Sequence, residues 1–380
     1  MATSSLFTEL VFDAPDTEGI KYAGSKLKLL PHILELAQST GARSVLDGFS
    51  GTTRVSQAFA RSGYRVVAND VAEWSRVFGS CYLLNTAKRS EYQELIDHLN
   101  AMSPCDGWFT ENYGGVVAKS SDHNGIQGDG SKKPWQIKNT RKLDAIRSEI
   151  DRLELDEITE AVALTSLIRA LDQVDNTLGH YVSYLKDWSP RSFNELRLEV
   201  PLVWQNTEEH RVIRSDIFPT LREVSVDLAY FDPPYGSNNE KMPPSRVRYC
   251  SYYHLWTTVC LNDRPSLFGR AMRRDDTSDT VAASDFEEFR RSDSGRFIVI
   301  DRIEEMIRDA PCEWIILSYS SGGRATASEL NEIIHQHGEL VKTIEVDYKR
   351  NVMGGMTWTN EWLRDADTPN REFLFLIRKQ

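Results

Sequence analysis

Asp232, Pro233, Pro234 and Tyr235 form the most chemically pointed run in this sequence. Two consecutive prolines continue neither a helix nor a sheet, so they fix a rigid turn with few unfolded alternatives. The turn follows Val226-Asp227-Leu228-Ala229-Tyr230-Phe231, which reads as a buried strand. An acid before the prolines and an aromatic after them are thereby held at the mouth of a sheet. This set suits an exocyclic amine on an aromatic ring, such as adenine N6, whose delocalised lone pair is a poor nucleophile. A carboxylate oxygen and a proline carbonyl can accept both N–H groups and turn the lone pair toward an electrophile. The tyrosine ring offers a face on which a base can stack. With a methyl group already activated as a sulfonium, alignment supplies much of the acceleration, and no metal is called for.

Two further acids, Asp47 and Asp70, stand like Asp232 where an α/β sheet gathers ligands, beyond the carboxyl ends of its strands. Ser44-Val45-Leu46-Asp47 is a short apolar run ending in the loop Gly48-Phe49-Ser50-Gly51-Thr52-Thr53. The stretch RVSQAFARSG then reads as a helix stopped by Gly63, and Arg65-Val66-Val67-Ala68-Asn69-Asp70 as a second strand. Strand, glycine-containing loop, helix and strand make a βαβ unit. Its loop lets backbone approach a bulky cofactor, and Asp70 suits two ribose hydroxyls. Taken alone, the loop is equally a generic turn and Asp70 equally a helix cap. Asp216, just before the VDLAYF strand, is placed to accept an adenine amino group.

Around these positions, Leu29 to Leu36 have helical spacing behind the polar turn KYAGSK (Lys21 to Lys26). Trp314–Tyr319 reads as a strand, Ala327–Gln336 as a helix, and Val341–Tyr348 and Glu372–Arg378 as late strands flanking the loop NVMGGMTWTNEW. Between Ser103 and Gln205 a polar, Gly-, Asn- and Lys-rich loop gives way to two helical runs. The chain thus reads as α/β with a mostly parallel sheet. Its catalytic part covers 20–102 and 206–380, and a helical insertion covers 103–205.

Over 380 residues the formal net charge is −11, which weighs against nucleic-acid binding by the body as a whole. The charge is uneven, however. Lys132, Lys133, Lys138, Arg141 and Lys142 fall in a basic stretch from Lys119 to Arg147, and a local basic surface on an acidic body is compatible with DNA. No apolar run reaches the length of a membrane span, and the N-terminus lacks a signal-peptide pattern. Five cysteines without a C-x-x-C pair fit a reducing cytoplasm and give no zinc motif.

The ordered motifs resemble the Dam-type (D12 class) DNA adenine-N6 methyltransferases. KYAGSK resembles their K-[WY]-x-G-x-K motif, LDGFSGTT their F-x-G-x-G loop, ANDV the acidic strand end and DPPY the catalytic motif. SDIFPTLREVSVDLAYFDPPYG, RYCSYYHLWTTV and SYSSGG are similar to the branch seen in restriction–modification methylases of the FokI type. The resemblance implies a Rossmann-like fold dependent on S-adenosylmethionine, acting on double-stranded DNA, with a cognate restriction endonuclease as a partner to look for. It implies cofactor contacts at Tyr22, Lys26, Asp47, Phe49, Ser50, Gly51, Thr52, Asp70, Val71, Asp216 and Ile217, with Lys26 near the target. It implies that Asp232, Pro233, Pro234 and Tyr235 orient a flipped-out adenine. The chain departs from the family at Thr53, where a second glycine is usual.

In that family the target-recognition region lies between the cofactor and catalytic motifs, which here is the insertion. Lys132, Lys133, Lys138 and Arg141 are then candidate phosphate contacts. Tyr181 and Lys186 in DNTLGHYVSYLK, and Tyr249 and Tyr253 after the catalytic loop, are further candidates for DNA. Helical packing explains the insertion tyrosine nearly as well, and core packing explains Tyr249 and Tyr253 equally. Methylation of RNA or of cytosine N4, and a catalytically idle DNA-binding module, stand as the competing functions.

Overall fold

The computed structural model describes residues 13–117, 123–235, 248–278, 284–288, 290–347 and 371–380. Lys119 and the loop 351–362 lie outside them.

Seven strands form one sheet: β1 (Ser44–Asp47), β2 (Arg65–Asp70), β3 (Arg211–Arg214), β4 (Leu228–Phe231), β5 (Trp314–Ser320), β6 (Gly338–Asp347) and β7 (Arg371–Lys379). Their order is β6-β7-β5-β4-β1-β2-β3. The four pairings from β5 across to β3 are parallel, and β7 enters antiparallel between β5 and β6. The β1 and β2 boundaries are those expected from the sequence, and the sheet is mostly parallel as expected. After β3 the chain crosses back to the other side of β1. The crevice between β1 and β4 is therefore the switch point, where an open α/β sheet binds its ligands.

Alternation along the strands explains the layers. Val45, Leu228, Tyr230, Ile316 and Leu374 face one side, against α1 (Leu30–Ser39) and α2 (Arg54–Arg61). Leu46, Ala229, Phe231, Ile315 and Leu317 face the other, with side chains of three helices that follow later in the chain, over 217–223, 298–309 and 327–337. Both sides of β1 and β4 are buried; β4 is apolar throughout, whereas β1 buries Ser44 and Asp47 at its ends.

A third core lies beside the sheet. Trp74, Val77 and Phe78 of α3 (Glu73–Leu83) pack with residues of α4 (Gln93–Ala101) and of the insertion helices α5 (Trp108–Tyr113), α6 (Ile137–Arg152) and α7 (Glu157–Gln173). Segment 103–205 thus shares its core with the α3 side of the sheet. Residues 174–188, with Tyr181 and Tyr184, form bends and turns in place of the helix their spacing permits. The remaining helices, in chain order, are α8 (Ile217–Glu223), α9 (Tyr249–Tyr252), α10 (His254–Leu261), α11 (Ile298–Asp309) and α12 (Ala327–His337).

Candidate active site

The catalytic turn leaves β4 directly into Asp232. Gly48, at the end of neighbouring β1, donates its N–H to the Tyr230 carbonyl at 3.0 Å. A Cβ on Gly48 would come within 2.7 Å of the Phe231 ring, so only glycine allows the two strand ends to close up here. Tyr235 is held from behind: Arg324 N–H donates to its carbonyl at 2.8 Å, and its ring packs against Tyr319 at 4.9 Å between centroids.

Lys26 reaches this turn from the loop before α1. Its ammonium lies 3.1 Å from Asp232 Oδ1, 2.9 Å from Glu372 Oε1 and 2.8 Å from the Tyr235 hydroxyl oxygen. The Tyr235 hydroxyl also contacts both carboxylates, and Ser318 Oγ donates to Glu372 at 3.0 Å. Burial lifts the Asp232 carboxyl to about 6, with the Lys26 charge opposing the rise. The same two carboxylates keep Lys26 above the ordinary lysine range despite its own burial.

A cavity of about 310 Å³ opens in front of this network, lined by Tyr22, Phe49, Asp70, Val71, Asp216, Ile217, Asp232, Pro234, Tyr249 and Glu287 among others. Asp70 accepts N–H groups from Gly51 at 2.8 Å and Ala72 at 2.9 Å, one on each oxygen, and still faces the cavity. Asp70 is not the cap of α3, whose N-cap is Ala72 without a side-chain cap bond; it braces the turn ahead of the helix. Asp216 caps α8 by accepting from Phe218 N–H at 3.0 Å and also lines the cavity. Phe49 packs edge-on to Phe286 at 5.1 Å and supplies an apolar wall with Ile217.

Asp47 stands behind the loop, buried, with Oδ2 accepting from Ser56 Oγ at 2.5 Å and Oδ1 left without a partner among the described residues. Burial pushes its carboxyl up to about 7, against the Ser56 hydrogen bond. Ser50, Gly51 and Thr52 shape the turn and do not line the cavity. Ser50 N–H donates to the Asn69 carbonyl at 2.9 Å, tying the loop to β2.

The departure at Thr53 has a physical reading. Its backbone is left-handed, at φ 60° and ψ 12°, the conformation in which glycine is at ease and a Cβ costs roughly 1–2 kcal/mol. Thr53 is fully buried, and its hydroxyl donates to the Thr52 carbonyl at 2.7 Å and accepts from Gln57 Nε2 at 3.1 Å. The loop keeps the glycine-type geometry, with local hydrogen bonds offsetting the strain.

Two residues enter the site that motif reasoning passed over. Glu372 sits on β7, an acid immediately before the apolar run Phe373–Ile377; its signal was a charge at a buried position of an interior strand. Glu287 is buried, accepts from Tyr249 N–H at 2.8 Å through Oε1, and has no partner for Oε2 among the described residues. Burial lifts it to about 7. No sequence spacing marks it, because it arrives from a short 3₁₀ turn over 285–287.

Several candidates for DNA are corrected. Tyr181 is buried between Trp135 and Trp256, with its hydroxyl turned to Asp175. Tyr253 is fully buried, stacked on Tyr22 at 4.7 Å, and its hydroxyl oxygen accepts from Ala23 N–H at 2.7 Å. Both rings are packed as core. Lys133 is half-buried and donates to the Asn112 carbonyl at 2.8 Å. Lys132, Lys138, Arg141 and Lys186 are exposed; Lys138 donates to the Phe193 carbonyl at 2.5 Å, and Arg141 pairs with Asp106 at 2.6 Å.

Among the described residues no cluster of ligating side chains fits a metal ion, and no helix is long and apolar enough to cross a membrane. Residues 22–290 match the family model of the D12 class N6 adenine-specific DNA methyltransferases. The chain is 26% identical to the type II methyltransferase M.NlaIII of Neisseria lactamica, over 87% of this chain and 92% of that protein. It is 25% identical to the type II methyltransferase M.FokI of Planomicrobium okeanokoites over 87% of this chain, and 26% identical to the modification methylase StsI of Streptococcus sanguinis over 83%. Those two are longer proteins, of which the aligned part covers 49% and 46%. The family match takes in Tyr22–Lys26 of the KYAGSK turn, β1, β2 and the turn at Asp232–Tyr235, and the fold and motif order agree with it: the chain belongs to the D12 class of N6 adenine-specific DNA methyltransferases.

Proposed function

We propose that this enzyme transfers the methyl group of S-adenosylmethionine to N6 of an adenine flipped out of duplex DNA. The observation that carries the reading is one continuous cavity, bounded by Asp70, Asp216, Phe49 and Ile217 at one part and by Asp232 and Pro234 at another.

The residues present fit a cationic cofactor. Asp70, Asp216, Asp232 and Glu287 line the cavity, with the unpartnered Asp47 oxygen behind it. Its two guanidinium groups are already engaged, Arg214 by Glu73 at 2.7 Å and Arg274 by Asp263 and Asp276 at 2.7 and 2.9 Å. The pocket therefore carries surplus negative charge under conditions where its carboxyls ionise. Asp70 would hold the ribose, Asp216 the adenine amino group, and Phe49, Val71 and Ile217 the base faces. When bound, the cofactor supplies a methyl group on a positively charged sulfur.

The chain's own part is orientation and proton handling. Asp232 and the Pro233 carbonyl accept the two N–H groups of the target amine, which points its lone pair at the methyl group. Partial burial of Asp232 strengthens that hydrogen bond by limiting competing water. Lys26 keeps the carboxylate ionised and fixed. Tyr249, on the cavity wall, is the available aromatic for the target base, whereas Tyr235 is committed to Tyr319 and the hydroxyl network. Lys132, Lys138, Arg141 and Lys186 are the exposed cations that would meet phosphates from the insertion.

The relatives' names are those of restriction–modification methylases, which supports modification of one DNA sequence as the biological role, with a cognate endonuclease as partner. Five free cysteines suit a cytoplasmic setting. Purified protein is incubated with methyl-labelled cofactor and with duplex DNA or RNA, and the modified nucleoside is identified. Label on adenine N6 of DNA is expected. Label confined to RNA or to cytosine, or DNA binding without transfer, sinks the reading.

A further inference from the structure

We propose that Glu372 is a positioning residue of the methyl-transfer centre, the second carboxylate that shares Lys26 with Asp232 and anchors the Tyr235 hydroxyl. The inference deepens the function proposed above and rests on it.

The geometry makes Lys26 a bridge. Its ammonium is about equally close to Asp232 and Glu372, at 3.1 and 2.9 Å, and its side chain is only 6% exposed. A buried ammonium with Asp232 as its single carboxylate would close on that carboxylate and occupy the lone pairs needed by the target amine. Glu372 draws the charge toward β7 and leaves Asp232 shared. Tyr235 has one hydroxyl proton and two carboxylate neighbours, so its position, and with it the end of the catalytic turn, depends on both acids. Ser318 on β5 fixes Glu372 in turn, at 3.0 Å. Strand β7 thus reaches into the chemistry although it follows the catalytic turn by 137 residues.

The arrangement also explains why burying an acid in a strand between β5 and β6 is tolerated. Glu372 is 7% exposed, and such a group is costly unless paired and hydrogen-bonded. Here it has an ammonium and two hydroxyls.

A structural tie and a positioning role differ in their pH signature. The charged or ionisable groups acting on Asp232 are Lys26 from the turn before α1, Glu372 from β7 and Tyr235 from its own turn. Tyr230 of β4, Asp47 of β1, Tyr22 and Tyr249 also interact with it. Within this set Glu372 opposes ionisation of Asp232, and Lys26 favours it. Glu372→Gln keeps the shape and one acceptor but deletes the charge. Asp232 then ionises more readily, and activity that needs the ionised form persists to lower pH.

The test compares wild type with Glu372→Gln and Glu372→Asp, using labelled S-adenosylmethionine and duplex DNA across pH 5 to 8. For Glu372→Gln, the expected result is a plateau kcat lowered by about tenfold, an acid limb displaced downward by about one pH unit, and a cofactor KM within about threefold of wild type. Glu372→Asp, which keeps the charge on a shorter arm, should lose rate without moving the limb. An unchanged kcat in Glu372→Gln, or a lowered kcat on an unmoved limb, overturns the proposal. If Glu372→Gln does not fold, Lys26→Met gives the converse readout: its acid limb must move upward, and a limb that stays in place overturns the shared-ammonium arrangement. Failure of the wild type to methylate adenine would count against the function itself, separately from the role of Glu372.

Discussion

Lys26 and Asp232 lie 3.1 Å apart, joining the KYAGSK turn to the turn at Asp232–Tyr235 proposed to carry the chemistry. Because burial lifts Asp232 to about 6, its ionised form is lost as pH falls through that value, higher than for an ordinary carboxylate. The kcat profile should therefore show an acid limb near pH 6. Asp232→Ala should lower kcat by about 10²–10³-fold or more at every pH, with cofactor binding by calorimetry nearly unchanged. A variant that retains turnover would remove Asp232 from the mechanism.

Asp47 makes a prediction about stability. Its folded carboxyl is raised to about 7, so between its unfolded value and pH 7 the folded state holds a proton that the unfolded state has released. Stability then falls as pH rises through this window. Asp47→Asn removes that penalty while its carbonyl still accepts from Ser56. The cofactor-free variant should melt above wild type at pH 8 and near it at pH 5. A difference independent of pH would show that Asp47 is ionised throughout.

At Thr53 the usual ranking of alanine over glycine should invert. Thr53→Ala and Thr53→Gly both lose the bond to Gln57, but only glycine relieves the left-handed backbone at φ 60°. Thr53→Gly should be more stable than Thr53→Ala by about 1 kcal/mol in urea unfolding. The opposite order would mean that the loop does not keep this geometry in solution.

The exposed lysines of the insertion offer a test of the DNA face. Lys132 and Lys186 have no acidic partner among the described residues, so both are free to neutralise phosphate. Lys132→Ala and Lys186→Ala should each weaken binding to all duplexes alike and reduce the salt slope by about 1. Unchanged slopes in both would move the DNA contact elsewhere. Tyr181→Phe, whose hydroxyl is buried near Asp175, should leave DNA affinity unaltered.

The sequence by itself determined the chemistry and most of the frame that holds it. Proline geometry fixed the turn after Phe231, apolar runs located β1, β2, β4 and β5, and acids at strand ends marked the side on which the cavity opens. Such signals are local: they depend on backbone restriction and on the period of burial, which neighbouring residues carry. Tertiary structure decided what depends on partners distant in the chain. Tyr181 and Tyr253 have the composition of a base-stacking pair, yet each is surrounded by aromatics from other segments and became core. Glu372 read as one charge in a late strand until β7 was placed beside β5, facing Ser318, Lys26 and Tyr235. A charge buried within a sheet is decided by whichever groups the fold brings to it, and no spacing along the chain encodes that.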